Sequence, residues 1–100
     1  MTAYNSVRMR VKAGREADYL KSHEQMDGTA LKAAGLRKFS IIKTGERTYC
    51  VIGEWDSFDS LAKARPVMIA QLDRMRDMLE DLGGGMGVTD PVSGEVVFER

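Results

Sequence analysis

His23 is the only histidine and Trp55 the only tryptophan of the 100-residue chain. A neutral imidazole accepts a proton near pH 7. His23 therefore has two readings: a satisfied structural histidine at the border of a buried helix stripe, or a general base. Trp55 ends the run CVIGEW, and its indole either anchors a strand end against a helix or walls a pocket. Asn5 falls among apolar neighbours, where an amide must bond main chain or be reached by a ligand. Arg65, in KARPVM, is either a solvated helix-end cation or a clamp for an anion. Tyr49 and Met68 join Arg65 as candidate substrate contacts, the methionine as adaptable lining.

Other chemistries lack the spacing they need. His23 has no histidine or cysteine partner at helical or CxxC spacing, so neither a metal nor a bound cofactor is expected. Cys50, the single cysteine, cannot close an internal disulfide and reads as a small buried strand residue. The glycines at 83–85 follow a helical run and lack GxxxxGK[ST], which excludes a phosphate loop. Lysine plus arginine and aspartate plus glutamate number 15 each, giving a formal net charge of zero. A nucleic-acid binder needs a concentrated basic face, so none is expected. No apolar run reaches membrane-spanning length, and the start MTAYNSVRMR has no apolar signal core. With one unpaired thiol, a reducing cytoplasm is the expected location.

The elements that position these residues are read from periodicity. YNSVRMRVK, residues 4–12, alternates: Asn5, Val7, Met9 and Val11 face one way, Tyr4, Ser6, Arg8, Arg10 and Lys12 the other. A helix follows from Arg15 to Ala34 with one apolar stripe, bent or split near Gly28 and capped by Gly35. LRKFSIIK, residues 36–43, and TYCVIGEW, residues 48–55, form a hairpin around TGER. Ser57 caps a second helical run whose apolar positions extend to Leu82, and Pro66 is expected to divide it. EVVFE, residues 95–99, is the expected last strand. One domain of order βαββαβ results: a ferredoxin-like α+β fold with a four-stranded antiparallel sheet and its helices on one face.

Such a sheet leaves its other face uncovered. Here that face carries Cys50 and Ile52 beside Arg8, Arg10 and Glu54, and the side on which Ile41 and Ile42 fall is ambiguous. A mixed face of this kind suits a second copy, which closes two sheets into a barrel and hides most edges. A homodimer is expected, with Glu54 as partner for the arginines.

Three stretches carry a family likeness. AAGLRKFSIIKTGERTYCVIGEWDS resembles the glycine, second strand, hairpin and Trp-ended third strand of the antibiotic biosynthesis monooxygenase family, within the dimeric α+β barrel superfamily. YNSVRMRVKAGREADYLKSH resembles its asparagine-bearing first strand and first helix, and GVTDPVSGEVVFE the tail of several members. The resemblance implies that Asn5 and Trp55 line a cavity between sheet and helices. It also implies a possible cofactor-independent oxygenase acting on a small aromatic or quinol-type substrate. There the Asn5 amide would hold a phenolate or peroxide oxygen while His23 takes the phenolic proton. The haem-degrading branch has a histidine where this chain has Arg65, and a guanidinium cannot ligate iron, so haem degradation is not expected. The rival reading is a non-catalytic dimeric module that binds a small hydrophobic molecule or serves assembly.

Overall fold

The structure is a computed structural model describing residues 1–100. Its elements are β1 (Ala3–Arg10), α1 (Glu16–Glu24), α2 (Thr29–Ala33), β2 (Leu36–Gly45), β3 (Thr48–Trp55), α3 (Phe58–Asp73) and β4 (Asp90–Glu95), with a single 3-10 turn at Arg76–Met78. The four strands are antiparallel in the order β2-β3-β1-β4, so the fold is the ferredoxin-like α+β arrangement.

Period-two alternation decides the two central strands. Ala3, Asn5, Met9 and Val11 are buried under the helices, as are Tyr49, Val51 and Trp55 on β3. Register settles the isoleucine pair. Ile41 opposes Val51 and packs on the core, while Ile42 opposes Cys50 on the outer face and is 45% exposed. The predicted first helix is split: α1 stops at Glu24, and Gly28 precedes α2 after Asp27 accepts the Thr29 amide at 2.9 Å. Gly35 closes α2 with φ +118°, and its carbonyl accepts the Asp56 amide at 2.9 Å. A Cβ there would sit 2.8 Å from the Asp56 Cγ, so this corner requires glycine.

Three expectations are corrected. Pro66 does not divide α3, which runs unbroken from Phe58 to Asp73. One missing amide hydrogen is outweighed by a packed stripe on both sides of the proline, Leu61 and Ala64 before it and Met68 and Leu72 after it. Helix does not continue to Leu82 either. Leu79 is drawn into an isolated bridge with Val11, and Glu80 donates its amide to the Arg10 carbonyl at 2.8 Å. Finally, β4 is Asp90–Glu95 rather than 95–99. It pairs with β1 from Arg8↔Asp90 to Ala3↔Glu95, and the Val96 amide meets the Thr2 carbonyl at 2.8 Å. There β1 ends, so Val97 and Phe98 have no strand to join and are 95% and 72% exposed.

The core forms two clusters. One gathers Met9, Val11, Tyr19, Tyr49, Val51, Met75 and Leu79, the other Ala3, Leu31, Trp55, Leu61 and Ala64. On the opposite sheet face the Tyr4 hydroxyl donates to Glu54 at 2.8 Å, and Ser6 and Cys50 touch at 3.0 Å. Within one chain Arg8 pairs with Asp90 at 3.2 Å, and Glu54 accepts from Tyr4 rather than from an arginine. Cys50 lies on this face as expected, half-buried rather than fully buried in one chain.

Candidate functional site

A cavity of about 200 Å³, partly open to solvent, lies between the two core clusters, beneath the helices. The sheet supplies its floor through Asn5, Val7 and Met9 of β1 and Val51 and Trp55 of β3. Leu36 and Phe39 of β2, with His23 and Leu31 of α1 and α2, make one wall; Arg65, Met68, Ile69 and Leu72 of α3 make the other. Twelve of the 16 lining residues are hydrophobic, so its four polar groups, Asn5, His23, Arg65 and Gln71, must account for any orientation of a ligand.

Asn5 and Trp55 meet directly. The indole Nε1 donates to Asn5 Oδ1 at 2.7 Å, with both residues buried. An indole N–H can only donate, so this bond fixes which way the amide points. The carbonyl oxygen faces the tryptophan and the NH2 faces α3, where it reaches the Met68 sulfur at 4.0 Å. A thioether is a weak acceptor. The cavity floor therefore holds an amide donor whose hydrogen-bonding capacity is largely unspent.

Space for this pair comes from Gly53, directly opposite Asn5 on β3. A Cβ at Gly53 would collide with Asn5 Oδ1 and lie 2.9 Å from Trp55 Nε1. Gly53 shapes this part of the cavity, and the residue-type reading passed over it. The signal was available: an isolated glycine within a strand marks close approach of another group.

His23 has both ring nitrogens buried and neither has a hydrogen-bond partner. Its ring stands edge-on to Tyr19, centroids 4.8 Å apart, and tilted over Phe39 at 5.8 Å. Burial among aromatic rings depresses its pKa, so the imidazole is neutral at pH 7. A neutral imidazole offers one acceptor and one donor, and here both are free.

Arg65 is exposed and lines the cavity from α3. It donates to Ser93 Oγ at 3.2 Å and lies over the Phe58 ring at 5.8 Å. No carboxylate pairs with it, and no lining residue is acidic.

Of the sequence-nominated residues, Asn5, His23, Trp55, Arg65 and Met68 all line one cavity. Tyr49 does not. It lies in the neighbouring core cluster, tilted against Tyr19 at 5.1 Å, and its hydroxyl donates to Glu16 at the surface. That bond raises the Tyr49 pKa, with burial adding to the effect. No three of the chain's His, Cys, Asp or Glu side chains come together as metal ligands, and no helix is long and apolar enough to cross a membrane.

No protein-family model and no curated protein sequence matches the chain. Solved structures do. A dimeric ferredoxin-like protein from an uncultured marine organism superposes with TM-score 0.73 at 21% identity, covering 99% of this chain and 90% of that one. A candidate antibiotic biosynthesis monooxygenase from Nitrosomonas europaea gives 0.75 at 10% identity, covering 97% and 91%. SnoaB, a cofactor-independent oxygenase from Streptomyces nogalater, gives 0.71 at 12% identity, covering 98% and 95%. The expected structural likeness to antibiotic biosynthesis monooxygenases is present, and proteins of unknown function share the fold as well. At these identities the likeness shows the fold, and a fold alone does not transfer an activity.

Proposed function

We propose that this protein is a homodimer whose cavity binds a small aromatic or quinol-type molecule and oxygenates it without a cofactor. The observation that carries the proposal is that the unspent Asn5 amide and the His23 ring, whose covered nitrogens have no partner in the protein, line one apolar space. Buried polar groups are normally satisfied, so an unspent amide and an unpartnered imidazole lining one cavity are where a ligand's oxygen atoms would bind once the imidazole turns a nitrogen toward that space. His23 takes the proton from a phenolic hydroxyl, and the Asn5 NH2 bonds an oxyanion formed on the ring. The electron-rich ring then reacts directly with oxygen. With a hydroquinone, one oxygen atom enters at a ring C–H to give a hydroxyquinone, and the other leaves as water with the two hydrogens that the quinol gives up as it is oxidised. Trp55 supports this by holding the amide and walling the apolar space. The oxygenase likeness of SnoaB favours this chemistry over simple binding.

Cavity size restricts the substrate. About 200 Å³ is below the common range of roughly 300–1,000 Å³ for ligand pockets, which points to one or two rings rather than a larger polycycle. The dimer is supported by the dimeric neighbour and by an outer sheet face on which Ile42 and Val92 are 45% and 65% exposed.

Oxygen uptake with a panel of small hydroquinones tests the activity. Substrate-dependent uptake that Asn5→Ala reduces by roughly tenfold or more supports the oxygenase. Uptake no greater than that of Asn5→Ala across the panel leaves a non-catalytic binding module.

A further inference from the structure

One transverse row of the sheet organises the polar groups of the cavity. Phe39 opposes Gly53, Gly53 opposes Asn5, and Asn5 opposes Ser93, so the row crosses all four strands. His23 packs over Phe39 at one end of the row, and Arg65 reaches Ser93 at the other. The Asn5 amide lies between them. With strands about 4.8 Å apart, β2 and β4 stand about 14 Å from each other, and the two side chains extend inward from those edges.

The two ends differ in charge. His23 is a buried neutral ring whose two covered nitrogens have no partner in the protein, so a turn of the ring that brings one to the cavity would match an uncharged hydroxyl there. Arg65 is a permanent cation at the exposed side, lacking any carboxylate partner and facing a lining without acids. A guanidinium in that position is satisfied best by an oxyanion, which it can grip with two parallel N–H bonds.

We infer that the cavity selects a compact hydroxyaryl carboxylate, laid across the strands with its hydroxyl at His23 and its carboxylate at Arg65. This rests on the ligand-binding reading of the same cavity and adds a polarity to it. Arg65 is then the residue that sets specificity, and an acidic aromatic is preferred over the corresponding neutral phenol.

Isothermal titration with three probes, 6-hydroxy-2-naphthoate, 2-naphthol and 2-naphthoate, tests the inference on the intact protein. The hydroxynaphthoate should bind the wild type about tenfold tighter than 2-naphthol, the size of one charge-assisted contact. Arg65→Gln, a change at an exposed position, should reduce hydroxynaphthoate affinity to the naphthol level and leave 2-naphthol unchanged. His23→Phe should bring hydroxynaphthoate down to the level of 2-naphthoate. Equal wild-type affinity for 2-naphthol and the hydroxynaphthoate, or equal weakening of both by Arg65→Gln, overturns the inference while the cavity reading stands. Absence of binding by all three probes overturns both.

Discussion

The Asn5–Trp55 bond has a structural and a chemical consequence, and substitutions separate them. Asn5→Ala leaves a buried indole N–H without an acceptor, a loss of about 1–3 kcal/mol that urea unfolding will measure. Gly53→Ala puts a methyl against the same pair and should cost about 1–3 kcal/mol through overpacking. It should also change the fluorescence of the single tryptophan, because the indole must move. His23 makes a pH prediction. Its folded-state pKa is lowered by burial, so between that value and the ordinary 6.5 the unfolded chain binds more protons than the folded one. Stability therefore falls as pH drops below about 6.5, and the loss is complete once pH passes below the folded value. His23→Phe should flatten this part of the stability–pH curve; an unchanged slope would mean that His23 is not held neutral in the folded protein.

At the scale of elements, Pro66 offers the clearest test. It occupies the interior of α3 without breaking it, so Pro66→Ala should restore a helix hydrogen bond and stabilise the chain by about 1–3 kcal/mol in thermal or urea unfolding. This same proline shows where sequence reading reached its limit. Strand β1 was legible because alternation of apolar and polar side chains depends only on local periodicity, and β3 was bounded as Thr48–Trp55 directly from its β-rich run after the TGER turn. Pro66 and the end of α3 depended on packing across the core, which local preference does not contain. The last strand was missed for a related reason. EVVFE has the better strand composition, yet DPVSGE is the segment that falls opposite β1 while β1 still has residues to pair. In the site, Asn5, Trp55 and His23 were legible as unusual residue types. Their convergence was implied only by the family resemblance, since residue type and periodicity do not give the register between strands 50 residues apart in the chain.

The whole molecule is where the uncovered sheet face matters. In one copy Tyr4–Glu54, Ser6–Cys50 and Arg8–Asp90 satisfy most of its polar groups, leaving an apolar remainder at Ile42, Ile52 and Val92. The apolar remainder suits burial against a second copy, where Arg10 and Lys38, which no acid pairs within one chain, would need partners. Light scattering should give twice the 11.1 kDa chain mass, and Ile52→Glu, which places charge at that face, should return it to a single chain mass. A single-chain mass for the unmodified protein would place the outer face in solvent. The cavity lies on the other side of the sheet and would be unaffected by that result.

The claim beneath all of this is that a small aromatic molecule occupies the space bordered by Asn5, His23 and Trp55. The sole indole gives one unmistakable Nε1–H resonance in a proton–nitrogen NMR spectrum, and that proton is bonded to Asn5 at the cavity floor. Titration with 2-naphthol should shift this resonance progressively to saturation, with the Asn5 side-chain NH2 signals moving alongside it. An indole signal that stays fixed at probe concentrations in large excess over protein would contradict the account.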